Sequence, residues 1–146
     1  MILVDTSIWG RLADSDDPLY GQAKSAFQKV LRNSMGPAIA AQSLYEFWVV
    51  ATRPTANNGL AWTPERATVW ITKLQRSCFF IPEDPRTFQI WQNLVTTYNT
   101  SGKAAHDARL VAVMQLHGIN SILTFNVKDF ARYDVTIIDP KIFPTL

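Results

Sequence analysis

The sequence predicts an α/β fold with a central, mostly parallel sheet covered by helices on both faces. Three observations predict it. Short apolar segments recur along the chain with helical segments between them, the pattern of parallel strands joined by crossovers. The first of them, Ile2–Val4, is apolar throughout, as a strand buried on both faces must be. Acids or amides follow these segments: Asp5 after the first, Asn126 after a later one. Right-handed crossovers gather the ends of parallel strands along one edge, and ligands bind at that edge.

The elements follow in order. Ile2–Val4 reads as a strand that ends at Asp5, with a helix beginning near Ser7. Asp16-Asp17-Pro18 reads as a helix start, and Ala23, Phe27, Val30 and Leu31 carry helical spacing through Asn33. Met35–Ala40 is a turn and short strand. Gln42–Thr52 is a helix stopped by Pro54, and a loop follows to Trp62. Thr63-Pro64-Glu65 opens a helix that runs to about Gln75. Cys78–Asp84 is a strand and turn, Pro85–Asn99 a helix, and Thr100–Lys103 a break. Ala104–His117 is a helix closed by Gly118. Ser121–Phe125 and Val135–Asp139 are the last two strands.

With 146 residues the chain fits one domain and can bury a substantial core. One cysteine, Cys78, permits no intrachain disulfide and fits a reducing, cytoplasmic setting; it reads as a small core residue. No basic run precedes a long apolar stretch, so no secretory leader is expected. The stretch nearest to a membrane span, Met35–Thr52, holds Pro37 and Glu46, so no membrane role is expected. The net charge of +2 permits nucleic-acid binding without arguing for it.

The candidate chemistry lies in the acids. Between Arg32 and Arg53 the only charged residue is Glu46, set among Tyr45, Phe47 and Trp48. It reads either as the polar stripe of an otherwise buried helix or as a carboxylate with a partner. Asp107 precedes the apolar face of Leu110, Val111 and Met114, where it could serve the helix dipole alone. Asp5 could simply cap the helix that follows, and Asp129 could cap or pair locally. Their coincidence near one sheet edge is harder to dismiss. Two like charges about 5 Å apart repel by roughly 3 kcal/mol at an effective dielectric near 20, so a cluster calls for a cation. Carboxylates and waters are what Mg²⁺ or Mn²⁺ takes, and such a site suits phosphoryl chemistry.

Together, "MILVDTSIW", "SLYEFWVVATRP", "HDARLVAVMQLHGINSILTFNVKDF" and "VTIIDP" resemble the PIN-domain ribonucleases, most of all the VapC-type toxins of bacterial toxin–antitoxin pairs. The resemblance spans nearly the whole chain, so residues 1–146 are expected to form a single PIN domain. It implies a three-layer α/β/α sandwich and a Mg²⁺- or Mn²⁺-dependent endoribonuclease that cuts single-stranded or looped RNA. It also implies a 5′-phosphate product end, a cognate antitoxin that covers the active-site groove, and a homodimer. Asp5, Glu46 and Asp107 take the positions of metal-binding catalytic acids. The family's fourth acid often stands where this chain has Asn126; Asp129 is therefore assigned as an outer, water-mediated catalytic contributor and Asn126 as a hydrogen-bonding neighbour. Thr6 and Ser7 offer hydroxyls or amides near metal waters, and Thr124 orients a carboxylate; turn chemistry explains all three equally well.

Arg11, Arg53, Lys103, Arg109, Lys128 and Arg132 fall near the same segments and are candidates for phosphate contacts, with Arg53 and then Arg11 foremost. His106 points about 100° away from Asp107 on a helix, so it is not expected to act as a base. Trp9, Phe47 and Trp48 are expected to contribute apolar surface to an antitoxin helix or a second subunit. A phosphoacceptor receiver domain is disfavoured because Asp5 stands alone and "VTIIDP" itself lacks the needed lysine in place. A haloacid-dehalogenase-type phosphatase needs an acid where Ser7 stands. The remaining rival is a noncatalytic PIN-like module that only binds RNA or protein, and Asn126 keeps it open.

Overall fold

A computed structural model describes residues 1–143. Five parallel strands form one sheet: β1 (Ile2–Val4), β2 (Pro37–Ala40), β3 (Phe79–Ile81), β4 (Ser121–Leu123) and β5 (Thr136–Ile138), in the order β3-β2-β1-β4-β5. The helices are α1 (Thr6–Leu12), α2 (Tyr20–Arg32), α3 (Ala41–Thr52), α4 (Pro64–Ser77), α5 (Thr87–Thr97), α6 (Ala104–His117) and α7 (Val127–Phe130). A single 3₁₀ turn covers Thr55–Asn57.

The layers follow from side-chain alternation. On β1, Ile2 and Val4 face one core and Leu3 the other. The first core joins Ile8 and Trp9 of α1, Ala23, Ala26 and Val30 of α2, Leu44, Phe47 and Ala51 of α3, and Ala67 and Leu74 of α4. The second joins Leu94 of α5, the apolar face of α6 around Leu110, Val111 and Met114, and Phe130 of α7. Helices therefore cover both faces of the sheet, an α/β/α sandwich.

Local chemistry sets the helix ends. Thr63 caps α4, its hydroxyl accepting from Arg66 N at 3.2 Å with Pro64 in the first turn. Gly118 closes α6 at φ 66°, which favours glycine because a Cβ would crowd the backbone there. At the end of α3 the loop returns so that Leu60, Ala61 and Trp62 N–H groups donate to the carbonyls of Val50, Arg53 and Ala51, satisfying acceptors the helix leaves open. Gly59 permits that return: a Cβ on it would overlap the Arg53 carbonyl.

Several expectations need correcting. Leu19, not Asp16 or Asp17, is the cap residue of α2; Asp17 instead accepts from Leu19 N at 2.8 Å in a turn that delays the helix. The four-residue helix α7 was not expected, and the burial of Phe130 holds it down. Trp9 and Phe47 are fully buried and offer no surface to a partner; Trp9 Nε1 donates to the Val4 carbonyl at 3.2 Å. Cys78 is buried, and desolvation pushes its thiol up to about 12. No helix among the described residues is long and apolar enough to cross a membrane.

Candidate active site

The sheet order fixes where a site can form. The chain leaves β1 toward β2 on one side, while β4 lies on the other. The crevice beyond the C-terminal ends of β1 and β4 is thus a topological switch point, where open α/β sheets bind ligands. Asp5 follows β1 there, Thr124 and Asn126 follow β4, and the sheet ladder continues through Asp5 N donating to the Leu123 carbonyl at 3.0 Å.

Asp5 is 4% exposed and tightly held. Its Oδ2 accepts from the Thr124 hydroxyl at 2.8 Å and from Ser7 N at 3.4 Å, so the same carboxylate also caps α1. Ser7 Oγ lies 3.3 Å from Thr124 Oγ1 and accepts from Phe125 N at 3.1 Å, while Thr124 Oγ1 accepts from Asn126 N at 2.9 Å. Two hydroxyls thereby lock the β1 and β4 ends together around one carboxylate. The Thr6 hydroxyl is buried and has no hydrogen-bond partner among the described residues.

A cavity of about 550 Å³ opens over these groups. Asp5, Thr6, Ser7, Glu46, Asp107 and Asn126 all line it, as do Arg11 and Arg53. Asp14 and Asp17 line it too, which the sequence did not reveal, because their placement depends on how the loop between α1 and α2 folds back. Asp129 is exposed on α7 and outside this wall, but its charge reaches Asp107. Lys103, Lys128 and Arg132 do not line the cavity.

Asp107 reports the electrostatics. Its pKa is pushed up to about 7, first by burial and then by the negative charges of Asp129, Asp5 and Glu46, with Arg132 opposing. Side chains from α6, α7, the end of β1 and α3 therefore share one field. Glu46 differs from its sequence reading: it is exposed, beside the equally exposed Tyr45 and Val49, so α3 is not otherwise buried and Glu46 has no burial cost to offset. Its Oε1 accepts from Gln42 Nε2 at 2.7 Å.

The arginines divide. Arg53 Nη2 donates to the Asn58 carbonyl at 3.3 Å, and its Nε is buried without a partner among the described residues. Arg11 is more committed: it donates to the Ser7 carbonyl at 2.8 Å, stands 4.8 Å from the centre of the Phe125 ring, and lies 3.9 Å from Asp17. Arg109 is not a free phosphate contact, since it donates to Gln42 Oε1 at 2.9 Å and pairs with Glu83. His106 faces a second, mainly apolar cleft with Phe88 and Trp91. The acids of that cleft, Glu83 and Asp84, are paired with Arg109 and Arg86; Arg86 draws the Asp84 pKa down to about 2.

The donor set of the first cavity suits a hard divalent cation: carboxylates, amides and hydroxyls, without imidazole or thiolate. Among the described residues no three His, Cys, Asp or Glu side chains gather as a complete ligand cage. The like-charge strain on Asp107 is what such an ion would relieve.

A sequence model of the PIN domain matches residues 2–135. No curated protein sequence matches the chain. Among solved structures it is similar to the VapC20 toxin of Mycobacterium tuberculosis, described as cleaving the sarcin–ricin loop, at 24% identity and a TM-score of 0.66 over 92% of this chain and 97% of that one. It is also similar to a chain of a toxin–antitoxin complex from Klebsiella pneumoniae, at 21% identity and 0.67 over 96% and 98%. A third likeness is to VapBC-1 of nontypeable Haemophilus influenzae, at 16% identity and 0.65 over 97% and 99%. At these identities the likeness is one of fold.

Proposed function

The chain belongs to the PIN-domain family, and on that premise we propose that it is a divalent-metal-dependent endoribonuclease, the toxin of a toxin–antitoxin pair. The observation that carries this reading is the shared cavity: Asp5, Glu46 and Asp107 line one wall system at the switch point, and the other acids raise the pKa of Asp107. Residues 1–146 would act as one domain, in the cytoplasm, as a homodimer restrained by a cognate antitoxin. The fold neighbours support the antitoxin, since two of those compared are toxin–antitoxin assemblies.

Asp5, Glu46 and Asp107 would hold Mg²⁺ or Mn²⁺, with Asp129 contributing from outside through water and Asn126 as a hydrogen-bonding neighbour. When bound, the cation supplies charge neutralisation and polarises the phosphodiester. The protein's own part is orientation. Thr124 and Ser7 fix the Asp5 carboxylate by hydrogen bonds to Oδ2. Arg53, and more weakly Arg11, stand in the same cavity to take backbone phosphates of single-stranded or looped RNA. Water adds to phosphorus and the 3′ oxygen leaves, giving 5′-phosphate and 3′-hydroxyl ends.

The second reading, a noncatalytic module that binds RNA or protein, is favoured by Asn126 and by the lack of a ready-made cage among the described residues. Purified chain incubated with a structured RNA and Mg²⁺ separates the two. Cleavage that a chelator abolishes, and that Mn²⁺ or Mg²⁺ restores, supports the nuclease. Intact RNA under both ions leaves the binding module.

A further inference from the structure

The side chain of Gln42 is 7% exposed and hydrogen-bonded through both its nitrogen and its oxygen. Its Nε2 donates to Glu46 Oε1 at 2.7 Å and to the His106 carbonyl at 2.9 Å. Its Oε1 accepts from Arg109 Nη1 at 2.9 Å, and Arg109 is itself paired with Glu83. The amide can sit only one way round. A guanidinium has no acceptor and must face Oε1; a carbonyl has no donor and must face Nε2. The Nε2 group is therefore the one directed at Glu46.

Two consequences follow. Glu46 is exposed on a flexible stem, and α3 packs into one core while α6 packs into the other. Packing within either core does not fix the Glu46 carboxylate against Asp107. Gln42 does so, because its second bond lands on the residue next to Asp107. The link is also uncharged where it meets Glu46. A lysine or arginine at position 42 would hold the carboxylate too, but would neutralise it and compete with a cation. Here the positive charge stays one side chain back, on Arg109, and Glu83 balances it.

We infer that Gln42, oriented by the Arg109–Glu83 pair, is a positioning residue that holds the Glu46 carboxylate in register with Asp107 across the two helix layers while leaving it charged. This rests on the metal-dependent reading of the site. Groups that orient metal ligands typically change affinity or activity 10–100-fold when removed.

The test is Mn²⁺ binding by calorimetry on the full chain, with thermal unfolding in chelator beside it. Gln42→Met keeps the length of the side chain and removes its bonds. It is expected to raise the Mn²⁺ Kd by about 10–100-fold. Arg109→Met should weaken binding in the same direction, and Arg109→Lys, which keeps a donor for Oε1, should recover part of the loss. The Gln42→Met/Arg109→Met pair should bind no worse than Gln42→Met alone, because one acts through the other. A Gln42→Met protein that binds Mn²⁺ with the parental Kd overturns the inference, as does full additivity in the pair. If Gln42→Met unfolds, the Arg109→Met and Arg109→Lys comparison decides alone: equal Mn²⁺ Kd values for parent and both variants overturn it. A folded parent that binds no Mn²⁺ overturns the metal reading itself, and the inference with it.

Discussion

Asp107→Asn should stabilise the metal-free protein at pH 8 while abolishing RNA cleavage. Burial and the charges of Asp129, Asp5 and Glu46 lift the Asp107 carboxyl pKa from 3.8 to about 7. The folded state thus holds this proton more tightly than the unfolded chain does. Its contribution to stability is full below about pH 4 and is lost as pH rises through about 7. At about 1.4 kcal/mol per pKa unit the lift corresponds to roughly 4 kcal/mol. Asp107 is only partly buried, so solvent screening reduces the working figure to about 1–3 kcal/mol. For a chain of this size that is a rise of about 2–10 °C in Tm. Asparagine keeps the shape and cannot ionise. In chelator at pH 8 the variant should melt above the parent, and at pH 4 the two should coincide. Mg²⁺ at pH 8 should then stabilise the parent and leave the variant nearly unchanged, because the ion binds the folded form with the intact carboxylate. Differential scanning calorimetry across that pH range reads all three arms. Equal melting of parent and variant at pH 8 in chelator would show that the acids do not share a field, and would refute the reasoning.

Two further outcomes are expected. Thr124→Val removes the donor 2.8 Å from the buried Asp5 carboxylate, and urea unfolding should show a loss of about 1.5–3 kcal/mol; an unchanged midpoint would mean that water replaces the hydroxyl without cost. Arg53→Ala, placed on the cleavage-inactive Asp107→Asn background, should lower the slope of log binding constant for RNA against log salt by about 1 across different RNA sequences, and an equal slope removes Arg53 from the phosphate path.

How much of this was legible in the sequence depends on the range of the interactions. Strands β1, β4 and β5 and helix α6 could be read because their signals are local: an apolar run, or a periodic face closed by Gly118. The start of α2 misled, because Asp16-Asp17-Pro18 carries a cap signal that the chain spends on a turn one step earlier. The positions of Asp5 and Asn126 at one edge could be inferred from strand ends and crossover handedness alone. The apolar neighbours of Glu46 are a poorer guide to its surroundings. Phe47 is buried and Tyr45 exposed, so adjacency in sequence said little about the face on which Glu46 lies. Gln42, four residues before Glu46, carries a readable helical-pair signal. Its alignment by Arg109, 67 residues away, does not.

The cavity also carries a balance of charge that no single motif expresses. Among the described residues, Asp5, Asp14, Asp17, Glu46 and Asp107 line it against only Arg11 and Arg53. An RNA phosphate entering beside five carboxylates and two guanidiniums meets net repulsion, and Arg11 is already partly taken up by Asp17 and the Ser7 carbonyl. A protonated Asp107 eases that repulsion but gives up an oxygen donor; an ionised Asp107 keeps the donor and needs a counter-charge. A divalent ion would meet both demands together, because it would displace the proton and offset much of the negative charge where the phosphate must sit. The raised pKa of Asp107 and the uncharged link from Gln42 to Glu46 then belong to one arrangement, in which Asp5, Glu46 and Asp107 line one cavity without an arginine ion pair among the described residues, so that their charge would remain for an ion.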